Sequence, residues 1–437
     1  MDVSRHHAAF RFGLGARPDQ PLPDDPPRAL LAELTREPGP LPLPEGWDHQ
    51  PTMVDIMAVW DEELATRDTP MPGNQRPRAA LARKEMRALV EHCLATPDGF
   101  RERLVLFWTN HFTASRRSGN VQAFLGDYMR RAIRPHVAGS FADMLVATTW
   151  HPAMLYYLNQ SSSVGPNSLT GRRAQLGLNE NLGREILELH TLSPAAGYSQ
   201  ADVTSFAKLL TGLTVQRRNG TGTIFAANRH EPGPKRVFGE EFGEGAQEIE
   251  RALRWLAVQE STQRHLAIKL VRHFVDDTPP PAAVQKVFST LRDSRSDIGA
   301  AARTLVDMPE TWQKPLAKLK TPQEFAFAAL RGLGAGPRHA PVALRVAGSL
   351  GQQVWLATDP IGWPDRAEDW VTPEGVLQRM EQAHDMAGRF SRLDPMALAE
   401  TTLGPLARPE TLQAARRAGS QRDGLTLVLA SPEFQRR

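Results

Sequence analysis

The chain has 437 residues, longer than one hydrophobic core usually grows, so two lobes or one large continuous domain both fit. Hydrophobic residues at 41% and charged residues at 23% are an ordinary globular balance that excludes a disordered chain, and no apolar run reaches the ~18 residues of a membrane-spanning helix. The 52 basic and 49 acidic side chains leave +3, too small an excess to call for a nucleic-acid partner, and the single Cys93 excludes an intrachain disulfide or a cysteine zinc cluster.

The first fifteen residues lack a basic stretch followed by an apolar one, so they do not read as a secretory signal and a cytoplasmic protein is expected. Apolar periodicity predicts helices over 27–37, 52–66, 77–95, 99–112, 120–136 and 141–158, with Pro-rich breaks at 38–51 and 68–77. Cys93 sits within one of these helices and reads as a small buried hydrophobe. The 99–112 helix ends in FWTNHF, which brings Asn110 and His111 out beside Phe107 and Trp108. His111 has the ordinary pKa of a proton shuttle or nitrogen ligand, but a histidine among aromatics also serves as a hydrogen-bonded core residue. Trp108 and Trp150 suit either a stacking platform for sugars or the core. The segment 161–175, SSSVGPNSLTGRRAQ, reads as a surface loop or as a lid whose Arg172 and Arg173 would close over an anionic or polyhydroxylated ligand.

The next stretch, NENLGREILELHTL, is the most polar helix of the chain. At ~100° per residue, Glu180, Asn181, Arg184, Glu185, Glu188 and Thr191 share one side, and Leu178, Leu182, Ile186 and Leu189 the other. Glu185 and Glu188 are near enough on one face to share a ligand or to separate each other's pKa values, as acid–base pairs and divalent-cation sites require. The competing reading is a solvated face with Glu180 and Arg184 as an ion pair, or a buried network around Arg184. Glu188 and His190 are two positions apart, so they cannot grip one ion while the helix persists; either the helix ends there or His190 serves packing. Ser199 and Asp202 form an S-x-x-D capping box that starts a helix over 200–210, after a turn at Gly197 and before a C′ glycine at Gly212.

Strand-like alternation is confined to 213–242, where LTVQ, TIFAA and RVFG are separated by Asn219–Gly220 and Pro232–Gly233; a small hairpin or irregular insertion is expected. Within it, RHEPGPK carries His230, Glu231 and Lys235 on a stiff turn that would aim them at one point. Helical periodicity resumes over 245–259, 262–276, 281–293, 297–306, 322–333 and 341–350, then 372–390, 396–402, 409–418 and 421–429. The fold expected is mainly α, an irregular multi-helix array, with a boundary near Gly245 dividing lobes 1–244 and 245–437 unless the two run as one domain. No P-loop, G-x-S-x-G elbow or dinucleotide fingerprint occurs, so no nucleotide cofactor is expected, and HEPGP lacks the second histidine of a zinc protease.

These motifs together resemble the bacterial family known only as domain of unknown function 1800. Its NENxxRE-x-x-ELHTLG run finds counterparts from Asn179 through Leu192, and its YTQ-x-DV and LTG turns at Tyr198, Gln200, Asp202, Val203, Leu210, Thr211 and Gly212. FWTNHFTAS, HPAMLYYL, HEPGPK, IKLVRHFV, KTPQEF, LGQQVW and the closing SPEFQRR extend the likeness over nearly the whole chain. Three positions depart from it. Thr109 stands where a first histidine is usual, Leu182 and Gly183 replace an aromatic–alanine pair, and Glu231 replaces an aspartate. The resemblance also implies a sulfatase-like companion protein as partner.

The expectation for function is a hydrolase-type enzyme acting on a polar polymer such as a polysaccharide. Glu185 and Glu188 would be its acid–base pair, His111 its proton shuttle, and Arg184 and Lys235 its anion stabilisers. Asn110, Asn181, Trp108, Arg172 and Arg173 would bind substrate. His230 and Glu231, with Glu185, Glu188 and His111, form the candidate set for a divalent metal. The alternative is a non-catalytic helical scaffold that binds a protein partner and uses the polar signature as a buried structural network.

Overall fold

A computed structural model describes residues 3–174, 176–216 and 222–437. The architecture is mainly α, with two small antiparallel hairpins as its only sheets among the described residues. Capping explains where several helices start. Thr52 and Asp55 close a box at the head of Met53–Ala65, Ser199 and Asp202 at Gln200–Leu210, and Thr321 and Glu324 at Pro322–Gly332. The expected 141–158 helix is broken into Phe141–Trp150 and Pro152–Tyr157, because Pro152 has no amide to continue the first. His151 then caps the second piece, its Nδ1 accepting from the Ala153 amide at 3.1 Å. The expected 120–136 helix is instead a series of short 3-10, α and π turns.

In the insertion, Leu213–Gln216 pairs with Gly222–Phe225, and Lys235–Val237 with Glu240–Phe242. The expected Asn219–Gly220 turn lies outside the described residues. The second hairpin turns through Phe238 and Gly239, both at positive φ, as a two-residue loop demands.

One apolar cluster extends from the first helix to the last, so the N-terminal and C-terminal halves pack on each other. Phe12 packs edge-on to Phe100 at 5.2 Å and stacks on Phe274 at 5.7 Å, while Phe10 meets Phe434 at 5.8 Å. Each such ring contributes about 1.5–3 kcal/mol by burial. This cluster fixes the crossing of the Gly99–His111 and Glu260–Phe274 helices, with Phe107 5.1 Å from the His273 ring. The loop over residues 352–369 roofs the crossing.

Candidate functional site

Under that roof lies a cavity of about 380 Å³, within the range of small-ligand pockets. Its walls come from both crossing helices, from the start of Pro322–Gly332 and from the roof loop. Phe107, Phe327, Trp355 and Trp363 make much of the surface apolar, and His111, His265, Lys269, Arg272, His273 and Asp365 supply the polar groups.

His273 donates from Nδ1 to Asp365 Oδ2 at 3.0 Å, while its Nε2 is buried without a hydrogen-bond partner. The ring is only 9% exposed, so an orphaned nitrogen there is costly unless a ligand or water meets it. Burial pushes His273 down to about 4, against the partial opposition of Asp365, so the imidazole is neutral at pH 7. Asp365 is the reverse case. Burial would raise it, but His273, Lys318 and Arg437 outweigh burial and hold its carboxyl well below the usual range. Arg437 reaches Asp365 Oδ1 at 3.3 Å, donates to the His273 carbonyl at 2.7 Å and to Glu324 Oε2 at 2.9 Å. Glu324 also receives Arg103; burial alone would raise it, yet the two guanidiniums hold it at about 2.

Deeper in the wall, Lys269 donates to His111 Nδ1 at 2.9 Å, and His111 Nε2 donates to the His190 carbonyl at 3.1 Å. His265 donates to the neighbouring Leu189 carbonyl at 3.2 Å. Burial first, then the charge of Lys269, drives His111 well below its ordinary pKa and His265 to about 4. Burial likewise lowers Lys269 to about 8.

The polar signature meets this cavity only through its end. After Asn181–Glu185 the chain makes a π turn over Ile186–His190, closed by Thr191 Oγ1 donating to the Ile186 carbonyl at 2.6 Å. The added residue rotates the chain beyond it, burying His190 and turning Leu189 with two carbonyls towards the cavity. Glu185 and Glu188 do not line it. They are half-buried, without a hydrogen bond or ion pair among the described residues, and burial followed by Glu188 raises Glu185. The charges of Asp359 and Glu185 add to burial in pushing Tyr157 up to about 12, so the carboxylate face borders the roof loop. Arg184 bonds Glu180 at 3.1 Å and Gln200 at 2.9 Å, and Thr204 donates to Glu180 at 2.6 Å. Asn181 is exposed, its amide donating to Asn179 Oδ1.

His230 belongs to a second, separate cluster. Its Nδ1 donates to the Thr211 carbonyl at 2.6 Å, and its Nε2 accepts from Lys235 Nζ at 3.0 Å. Lys235 also donates to the Glu231 carbonyl, so its ammonium is engaged within the loop. Glu231 grips Asn167 twice, accepting from the amide at 2.8 Å and from Nδ2 at 2.7 Å. The HEPGPK loop therefore anchors the segment expected as a lid, in which Arg172 and Arg173 lie exposed on the short helix Leu169–Ala174.

The expected convergence of Glu185, Glu188, His111 and His230 on one cleft thus does not occur, because each group is directed elsewhere by its own backbone. Among the described residues no three His, Cys, Asp or Glu side chains gather as metal ligands, including the sets anticipated around His230 and Glu231. Trp108 is core, packed against Phe107, His111 and Phe141. Asn110 lines the cavity but spends its amide on Trp363, and Thr109 in the wall donates to the Val105 carbonyl at 2.7 Å. Sequence reasoning missed Lys269, Arg272, His273 and Asp365. The first three lie in IKLVRHFV at positions i, i+3 and i+4 of one helical face, a legible signal; Asp365 offers none.

A sequence profile described as Protein of unknown function (DUF1800) matches residues 7–436, and the chain belongs to that family. No curated protein and no solved structure matches it. Among the described residues no helix is long and apolar enough to cross a membrane.

Proposed function

We propose that this family member is a hydrolase-type enzyme in which neutral His273, oriented by Asp365, takes a proton from water or a substrate hydroxyl inside the cavity. The observation that carries the reading is the buried, unpartnered Nε2 of His273 in the cavity wall, with Nδ1 committed to an ionised carboxylate. A carboxylate on one ring nitrogen sets the tautomer and frees the other as base; positioned proton transfer of this kind contributes about 10²–10⁴-fold. Lys269 adds positive charge where an oxyanion would develop. A space of about 380 Å³ suits one terminal group of a polar polymer or a small molecule better than a run of polymer units.

The test is turnover of p-nitrophenyl esters, phosphates and glycosides by the wild type and by His273→Gln. The variant is expected to lose roughly 100-fold or more. His273 must be unprotonated to act, so the rate should rise as pH passes about 4, and it should fall above about 8 as Lys269 loses its charge. Equal turnover by the two proteins sinks the role of His273.

One observation favours a second reading, a scaffold that docks a protein such as the sulfatase-like companion. Glu180, Arg184, Gln200 and Thr204 spend their polar atoms on one another, tying two helices together as a register-fixing network would. No turnover of any substrate, with the companion still captured by His273→Gln, would favour it.

A further inference from the structure

Several charges line the cavity, and most are already spent. Arg103 is held by Glu324 and the Gly13 carbonyl, and Arg366 by Glu368 at 2.9 Å. Glu324 and Asp365 are neutralised by Arg103, Arg437 and Lys318, and Asp365 also accepts from the neutral His273. Two cations are left over. Lys269 has His111 as its only hydrogen-bond partner among the described residues, and that partner is an uncharged ring. Arg272, one helical turn further on, has no acid within ion-pair distance among them, and its Nε is buried without a partner. Like charges three apart on a helix repel, and after burial the guanidinium of Arg272 helps lower Lys269. An arrangement that holds both in a partly apolar wall is stabilised when an anion arrives between them. The rings of Trp355 and Trp363 line the same cavity, and Asp369, also in the lining, is exposed.

We infer that the ligand of this cavity carries an anionic oxygen group, a carboxylate or a phosphate ester, seated on Lys269 and Arg272, and a less polar body against Trp355 and Trp363. The inference rests on the reading of the same cavity as a reaction site and names its substrate class. A guanidinium and an ammonium side by side suit such a head group: Arg offers planar paired donors, and Lys a compact charge with two N–H groups beyond the one given to His111. The orphaned Nε2 of His273 belongs to the wall of the same cavity.

The experiment is a titration of the full chain with 4-phenylbutyrate, 2-phenylethyl phosphate and the neutral 4-phenylbutanol, followed by calorimetry. At least one anion is expected to bind at least tenfold more tightly than the alcohol, and the stronger of the two identifies the head group. The double substitution Lys269→Met with Arg272→Met should remove at least tenfold of the anion affinity and leave the alcohol unchanged. His273→Gln should bind the anion within about twofold of wild type, so that loss of turnover there with retained binding separates failure of the proton-transfer reading from failure of this one. Should the double variant not fold, wild type compared at pH 7 and about pH 9.5 serves instead. The histidines facing Lys269, namely His111, His190 and His265, are already neutral at pH 7, and Asp365, held well below the usual carboxylate range, stays charged across that interval. Anion affinity alone should therefore fall as Lys269 deprotonates. Equal affinity for alcohol and anions, undiminished anion binding in a folded double variant, no pH effect on anion affinity, or no anion binding at about 10 mM would each overturn the inference.

Discussion

Asn110 shows how a residue at a cavity can act without touching what enters it. Its Nδ2 donates to the Trp363 carbonyl at 2.8 Å and its Oδ1 accepts from the Trp363 amide at 2.7 Å, so one side chain pins the roof loop through both backbone groups of one residue. The preceding Gly362 lies so close that a Cβ would stand 2.5 Å from the Asn110 carbonyl oxygen, and its φ of +84° is one that glycine adopts freely. Asn110→Ala strands a part-buried donor and acceptor of Trp363, and the expected loss is about 1 kcal/mol in urea unfolding. Asn110→Asp, which keeps the acceptor and loses the donor, should fall between. If Asn110→Ala unfolds with the wild-type midpoint, the roof does not depend on this clamp. That Asn110 and His111 would meet large aromatics at a helix end was legible, because the run from Phe100 to Phe112 sets which face is buried. The pairing of His273 with Asp365 was not. The two are 92 positions apart, and a histidine that shares a helical face with Lys269 and Arg272 gives no sign of which loop will return over it.

At the scale of elements, caps and a small hairpin insertion were legible because their chemistry is local, whereas the second hairpin, turning at Phe238–Gly239 rather than breaking at Pro232–Gly233, was not. Ser199–Asp202 forms the anticipated box, and Gly212 is left-handed (φ +95°) just after the helix that the box starts. The π turn over Ile186–His190 was not legible, since a wheel drawn at one fixed angle cannot register an extra residue. That turn bears on the candidate site, since Leu189 within it lines the cavity while Glu185, just before it, does not. The 161–175 segment is a related case, where Ser and Gly content suggests mobility but partners distant in sequence decide it. Gly165 donates to the Arg229 carbonyl at 2.9 Å, and Glu231 holds Asn167 by two bonds. Glu231→Ala removes both acceptors, and amide exchange across residues 163–171 should quicken by at least roughly tenfold while exchange in Glu260–Phe274 is unchanged. Unaltered exchange in 163–171 would mean that the remaining backbone contacts hold the segment alone.

Across the whole molecule, buried ionisable groups join parts of the chain that composition shows only as an even mixture of charges. Arg11 donates to the carbonyls of Phe274 and Arg437, and Arg437 reaches Glu324 and Asp365, so the first and last elements close on the cavity helices. The same burial sets how stability responds to acid. Burial lowers His7, His265 and His273 to about 4 and His190 to about 3, so between pH 6.5 and these values the unfolded chain takes up protons that the folded chain refuses. Stability is then fully present above the unfolded histidine pKa and is lost as pH falls towards 4, by roughly 1 kcal/mol or more for each fully buried ring. Glu324 and Glu102, held at about 2 by their arginine and histidine partners against the opposing effect of burial, continue the loss from about pH 4.5 down to 2. Glu33 runs the other way. Burial raises it to about 7, so its burial costs stability only above its unfolded pKa, and acid relieves that cost. Burial also lowers His111 and raises Glu85 and Glu185, and because the buried histidines outnumber the raised carboxylates the urea midpoint should drop steadily from pH 6.5 to 4 and more steeply below. A midpoint that is flat or rises over that interval would mean the histidines are not buried as neutral rings, and the orphaned nitrogen of His273 would lose its place as a base.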